Sequence, residues 1–212
     1  MQRIPDAAIR RLPAYLRWLT ECEEERVTSV MLGQATGYSS EQVRKDLAYF
    51  GAFGTRGVGY DVGALRDEIY RILKLDQGVR AIVVGAGHLG TALVRYVDQG
   101  HQVRHDVKIM ALVDNNPVII GTQVGSIRVE SVDRLEELVH QYDIGIGVLT
   151  VPKEAAVIVG DRLAEAGVRA ILNFAPVSVC THYPDVFVQP IDLTLEMQAL
   201  SYFVGQKAPH RL

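Results

Sequence analysis

Apolar positions along this chain change their period near residue 80. Before that point they recur every three or four residues. Ile9, Leu12, Leu16 and Leu19 predict a first helix, with Pro5 suited to its opening turn. A second helix is expected to start near Thr28 or Ser29 and to end at Gly37. A third follows Ser39, a capping residue with Gln42 three positions on to complete a capping box. Val43, Leu47 and Phe50 then form one stripe, which leaves Gln42, Arg44, Lys45 and Tyr49 facing outward. Residues 51–60 hold four glycines and read as a tight hairpin or loop. Leu65, Ile69 and Ile72 mark one more helix, and Asp76-Gln77-Gly78 reads as a linker.

Beyond residue 80 short apolar runs alternate with helical spacing. Strands are expected at 81–84, 107–113, 144–149, 168–172 and, in the tail, 186–188. Helices are expected through Leu89, Leu93 and Val97, over 132–139 and 153–166, and last over 193–204. Strands alternating with helices imply βαβ units and a parallel sheet whose strands are apolar because both faces are covered. No internal repeat or low-complexity segment is visible.

Composition adds little to this pattern. At 212 residues, 48% hydrophobic and 22% charged, the chain can bury a core as one large domain or two small ones. It has no apolar run of membrane-spanning length and no basic-then-apolar leader, so a cytoplasmic protein is expected. Cys22 and Cys180 are too few and too far apart for a disulfide framework or a zinc site, so no metal is expected. The net charge of −3 does not favour nucleic acid, yet Arg44, Lys45 and Arg56 form a locally basic stretch.

Two segments carry chemistry. Gly85-Ala86-Gly87-His88-Leu89-Gly90 is a GxGxxG that follows an apolar strand and opens a helix. Such a loop turns tightly, lets the backbone approach a pyrophosphate and offers helix N–H groups to its charge. Asp114 ends the next strand, 24 residues beyond Gly90, where a carboxylate can accept ribose hydroxyls and repel a 2′-phosphate. NAD(H) is therefore expected over NADP(H). The loops Thr150-Val151-Pro152 and Asn173-Phe174-Ala175-Pro176 are expected to complete the crevice. The bland alternative is that these glycines only serve packing and Asp114 only starts a turn.

At the other end, a helix, a turn at Gly37 and a capped helix make a helix-turn-helix candidate. The capped helix offers Ser40, Gln42, Arg44, Lys45 and Tyr49 for DNA contact, and Arg56 on the hairpin would enter the minor groove as a wing. A solvated helix face beside a flexible loop would have the same composition.

The residues from Gln42 to Gly51, running into Gly54-Thr55-Arg56-Gly57-Val58-Gly59-Tyr60, closely resemble the signature of the Rex family of redox-sensing repressors. The likeness continues through Gly85–Gly90, Leu149–Pro152, Ile171–Pro176 and Leu200-Ser201-Tyr202-Phe203. Ala48 departs from it, standing where serine is usual, as does His88, standing where asparagine or arginine is common. The resemblance implies an α/β protein in three parts. These are a winged-helix DNA-binding domain (1–76), a Rossmann-type NAD(H)-binding domain (77–189) and a C-terminal helix and tail (190–212) that swaps between the subunits of a homodimer. Leu193, Met197, Leu200 and Val204 stripe that helix, though a helix docked within its own chain would look the same. The resemblance also implies a switch of Asp192, Arg17 and Tyr96, whose pairings differ between DNA-bound and NADH-bound states. An inverted-repeat operator would be bound without NADH and released with it.

Two other classes compete. An NAD-dependent oxidoreductase would need a substrate domain, yet only 36 residues follow Pro176, with His182 and Cys180 the nearest groups for chemistry. A non-enzyme is expected. A nucleotide-gated interaction module without DNA binding would keep the glycine loop and lose the role of Arg44 and Lys45.

Overall fold

The computed structural model describes residues 4–51, 54–55, 58–99 and 106–204. The chain divides into two compact units: one holds the described chain up to Gly78 with Asp106, the other runs from Val79 onward.

The first unit contains helices α1 (Asp6–Glu21), α2 (Ser29–Thr36), α3 (Ser40–Ala48) and α4 (Val62–Ile72). Its strands β1 (Arg26–Val27), β2 (Gly54–Thr55) and β3 (Gly59–Asp61) form an antiparallel sheet in the order β1-β3-β2. Within the glycine-rich segment, β2 thus pairs antiparallel with β3, which also pairs with β1. Leu12, Leu19, Leu32, Val43, Leu47, Leu65 and Ile69 bury one apolar stripe from each helix in a common core. Pro5 stands at the N-cap of α1, just ahead of the helix.

Side-chain oxygens start the other helices. Thr28 accepts from Met31 N, Ser39 from Gln42 N and Asp61 from Ala64 N, which satisfies donors the first turn leaves without partners. Only half of the expected capping box forms. The Gln42 side chain does not return to Ser39 but donates to the carboxylate of Asp46, at 2.7 Å. The buried carboxylate one helical turn on takes the amide N–H and draws the side chain away from the Ser39 backbone N–H that a capping box would have it accept.

That carboxylate is fully buried. Arg11 of α1 donates to it through Nε and Nη2, at 2.6 and 2.8 Å, and the Tyr15 hydroxyl adds a bond of 2.8 Å. Tyr38 closes the cluster, edge-on to Tyr15 and beneath the Arg11 guanidinium. Burial alone would push Asp46 up, but hydrogen bonds from Arg11, Tyr15 and Gln42 outweigh it and hold the group below the usual carboxylate range. Burial and the same carboxylate hold the Tyr15 phenol above its ordinary value.

The second unit carries β4 (Val79–Val84), α5 (His88–Asp98), β5 (Val107–Asp114), β6 (Gln123–Val124), β7 (Ile127–Ser131), α6 (Leu135–Gln141), β8 (Ile146–Leu149), α7 (Lys153–Glu165), β9 (Ala170–Asn173), β10 (Phe187–Pro190) and α8 (Leu193–Ser201). Its strands form one sheet in the order β10-β9-β8-β4-β5-β7-β6, parallel except for the β6–β7 hairpin. Ile82 and Val84 of β4, with Ala111 and Val113 of β5, face the cluster that includes α6 and α7. Val83 and Leu112 face the opposite cluster, with Val94 of α5. Covering on both sides is why the central strands read as unbroken apolar runs. The expected strands lie within two residues of those observed, while the β6–β7 hairpin was not anticipated. The expected last helix ends at Ser201 and continues as a turn. Among the described residues no helix is long and apolar enough to cross a membrane.

The Asp46 cluster yields a direct expectation. With its folded value lowered, its stabilising contribution is complete above the ordinary value near 3.8 and is lost as pH falls through the folded value. Asp46→Ala is expected to cost about 3 kcal/mol at pH 7, because it leaves Arg11 without its buried partner. The variant should also show a flatter loss of stability between pH 5 and pH 3 (approximate window). Urea unfolding of both proteins across that range measures this, and equal stability at pH 7 would contradict it.

Candidate functional site

The glycine-rich loop lies where the sheet order reverses. Strand β4 has β5 on one side and β8 on the other, and a crevice opens past the carboxyl ends of the three strands, as the topology of doubly wound sheets requires. Gly85 follows β4 with φ of +104°, and a Cβ there would stand 2.6 Å from the Thr150 carbonyl oxygen. A Cβ on Gly90 would collide with the Gly85 carbonyl oxygen. Thr150 reinforces the same approach, its hydroxyl donating to the carbonyls of Val84 and Gly85 at 3.0 and 2.8 Å. The start of α5 is therefore pressed onto the ends of β4 and β8.

Gly87 differs. A Cβ there would meet nothing within 4 Å, and as the N-cap of α5 it caps with no side chain. The first turn of a helix has N–H groups without helical partners, and the helix dipole makes that end attractive to anions. Next to it a cleft of about 620 Å³ runs from Gly85 and Gly87 past Asp114 to Thr150, Val151 and Pro152. That volume suits a ligand of cofactor size.

Asp114 is the polar hinge of the cleft. Its Oδ2 accepts the Ala86 backbone N–H at 2.6 Å and its Oδ1 accepts that of Asn116 at 2.8 Å. The carboxylate thus ties the glycine loop to the end of β5, and it retains lone pairs toward the cleft, which it lines. The turn expected at Asp114 is present, and its carboxylate lines the cleft.

The structure brings together Gly85, Gly87, Asp114, Thr150, Val151 and Pro152 in the lining. Ala86 and Gly90 are buried beneath it, while His88 and Leu89 are exposed on the first turn of α5. Asn173 is a correction. It is buried, its amide N–H donates to Val177 O at 2.8 Å, and its Oδ1 accepts Ala175 N at 2.9 Å. Both ends of its amide hold the loop after β9, so they are not aimed into the cleft. Phe174 likewise packs into the core against the α5 face of the sheet.

Sequence reasoning missed the far wall. Arg162 of α7 lines the cleft and pairs with Glu136 of α6 through two bonds, of 2.7 and 2.9 Å, with a third to Val132 O at 3.0 Å. The Arg162 hydrogen bonds hold Glu136 below its usual range, and Glu136 in turn raises Arg162. Asn115, Asn116 and Ile119 also line the cleft, and the Asn-Asn-Pro sequence after Asp114 was a readable signal for them. His182 hydrogen-bonds Asp161 through its ring and backbone nitrogens, at 2.8 and 2.9 Å. Neither residue lines the cleft. Among the described residues no cluster of metal-ligating side chains forms.

In the first unit, α2 and α3 are joined through Gly37 in the left-handed conformation. Arg44 and Lys45 are exposed on α3, and Arg44 also donates to Ser29 of α2 at 3.0 Å. Ser40 and Tyr49 are half-buried, and so is Gln42, because its amide is drawn inward by Asp46 and does not face freely outward. Arg56 lies outside the described residues. Arg17 is exposed on α1. In the second unit, Tyr96 is exposed on α5 and Asp192 caps α8 by accepting from Thr194 N and Leu195 N. No residue of α8 is buried, and Leu193, Met197, Leu200 and Val204 are all more than half exposed.

A winged helix-turn-helix unit followed by a Rossmann-type unit with an open glycine-loop cleft defines a DNA-binding regulator with a nucleotide site. Comparison with known proteins narrows the class. Residues 3–48 match the family model "Putative DNA-binding protein N-terminus", and residues 76–177 match that of a CoA binding domain. The redox-sensing transcriptional repressor Rex of Natranaerobius thermophilus is 44% identical over 204 residues, covering 94% of this chain and 90% of the relative. That of Brevibacillus brevis is 39% identical, covering 96% and 98%. Among solved structures, RSP in complex with β-NAD+ and operator DNA matches with a TM-score of 0.86 at 33% identity, covering 96% of this chain and 94% of that one. RSP in complex with β-NADH matches at 0.81 and 31%, covering 96% and 95%. This chain belongs to the Rex family of redox-sensing transcriptional repressors.

The three glycines should separate by role. Gly85→Ala and Gly90→Ala are expected to lower the melting temperature by several degrees, since backbone must shift to admit the methyl group. Gly87→Ala should melt with the wild-type protein. Thermal unfolding without ligand distinguishes them, and an equal loss in all three would contradict the geometry.

Proposed function

We propose that this chain is a repressor that holds an inverted-repeat operator as a homodimer and releases it when NADH binds. The observation that carries this reading is the pairing of sites in one chain. It has a helix-turn-helix with a basic outer face and a glycine-loop cleft ended by a carboxylate, and its relative RSP has been solved with both operator DNA and NAD(H). The relatives are named as repressors, not as dehydrogenases, and the chain is not read as an enzyme.

The residues divide the work as follows. Gly85 and Gly90 bring the amino end of α5 against the strand ends, and Gly87 leaves space for a pyrophosphate there, beside His88 and Leu89. Asp114 accepts the adenosine ribose hydroxyls and excludes a 2′-phosphate. Thr150, Val151 and Pro152 form the opposite lip. NAD(H), when bound, supplies the redox signal through the charge of its nicotinamide. On α3, Arg44 and Lys45 contact the major groove with Ser40, Gln42 and Tyr49, while Arg56 on the wing reaches the minor groove.

A ligand shifts an equilibrium only by its differential affinity for the two states, so the NADH-bound conformer must differ from the DNA-bound one in contacts that matter. Arg17, Tyr96 and Asp192 exchange partners between them. The exposed apolar side of α8 supports its exchange with a second subunit, which sets residues 190–212 apart from the nucleotide-binding domain. The protein acts in the cytoplasm, where operator DNA and the dinucleotide pool meet.

Fluorescence anisotropy of a labelled inverted-repeat duplex tests this. NADH should displace the protein at concentrations where NAD+ does not, and equal effects of the two would remove the redox-sensing claim. Replacing Arg44 and Lys45 with alanine should weaken operator binding at least about ten-fold while sparing NADH affinity. Unchanged DNA affinity in that variant would favour a nucleotide-gated module that does not bind DNA.

A further inference from the structure

Asp46 decides which way round the amide of Gln42 faces. All four lone-pair directions of the carboxylate are in use: Oδ2 by Arg11 Nε and the Tyr15 hydroxyl, Oδ1 by Arg11 Nη2 and Gln42 Nε2. An ionised carboxylate only accepts, so the Gln42 atom that stands 2.7 Å from Oδ1 has to be the NH2 group. Arg11 keeps Asp46 ionised, and the group lies below the ordinary carboxylate range. The Oε1 oxygen of Gln42 takes no hydrogen bond from the described residues and is not buried, so it is left as the solvent-facing end of the half-buried side chain, with the second amide hydrogen beside it. Gln42 lies in the first turn of α3, within two residues of the exposed Arg44, in the part of a recognition helix that meets base edges.

An unrestrained glutamine can turn either end to a base. In the major groove adenine and cytosine offer an exocyclic amino donor, whereas guanine O6 and thymine O4 are acceptors. We infer that Asp46 is a specificity-determining positioning residue: it locks Gln42 with its oxygen outward, so that Gln42 favours an amino-bearing base over guanine or thymine at one position of each half-site. Adenine gains most, because the second amide hydrogen can reach N7. This rests on the operator-binding reading above and deepens it.

Selection of binding duplexes from a library of randomised inverted repeats tests the inference, using full-length wild type, Gln42→Leu and Asp46→Asn, with melting curves and NADH binding to confirm folding. The wild type should enrich adenine or cytosine at one position of each half-site. Gln42→Leu should lose that preference by at least about five-fold, at that position alone. In Asp46→Asn the side-chain oxygen keeps Arg11 Nε and the Tyr15 hydroxyl, while NH2 takes the place of Oδ1, forfeits the Arg11 Nη2 bond and turns the glutamine over. That variant should move the preference toward guanine or thymine. A merely structural role for Asp46 would weaken all sequences alike. A Gln42→Leu profile identical to wild type overturns the inference even if Asp46→Asn fails to fold, and so does a folded Asp46→Asn that retains the wild-type base. If the wild type enriches no sequence, the operator-binding reading falls and this inference with it.

Discussion

The second unit is organised by one backbone contact, the approach of the start of α5 to the turn that ends β4. Gly90 lies against the carbonyl of Gly85, and Thr150 binds that same carbonyl from the end of β8. No side chain fits between them. Because the three elements meet there, the crevice at the reversal of strand order has a rigid floor, and Gly87 is left at its edge with nothing over it. Moving the helix outward by one methyl group would separate the anion-attracting helix end from the carboxylate that closes the other side of the cleft.

Two aspartates show how burial changes the use of one functional group. Asp46 is sealed from solvent and saturated by four donors, so it acts on its surroundings only by fixing them. Asp114 also binds backbone N–H groups on both oxygens, yet it borders open space and can take further donors. One is part of a scaffold for a helix face, the other part of the wall of an open cleft. Their difference lies in the elements packed around them, not in their chemistry.

Much of this architecture was legible in the chain. Long apolar runs such as 107–113 announce strands covered on both faces, and the glycine loop falls between strand and helix as its pattern requires. Short-range patterns carry such features, whereas pairings across distant residues leave no local trace. Arg162 and Glu136 meet across 26 positions, and either alone reads as a surface charge. The β6–β7 hairpin has strands of only two and five residues, too short for a period to register. Asn173 was assigned to the cleft because its loop ends a strand on the correct side, but the amide is consumed by its own loop. Asp46 had a faint signal: it stands three residues from Val43 and four from Phe50, a core spacing that a lone surface aspartate would not need. What identifies its partners, Arg11 and Tyr15, is the packing of α1 on α3.

Helix α8 gives the molecule a dependence that no contact inside the chain can express. Its apolar side chains, from Leu193 to Val204, remain in water as long as the chain is alone. Were a second copy to cover them, as proposed above, stability would depend on the number of copies present, and the midpoint of unfolding would rise with protein concentration. At the low copy number typical of a regulator, mass action then sets a threshold below which chains stand apart with a sticky helix exposed. The dosage of the gene would thus be a physical variable of the fold as well as of the regulation.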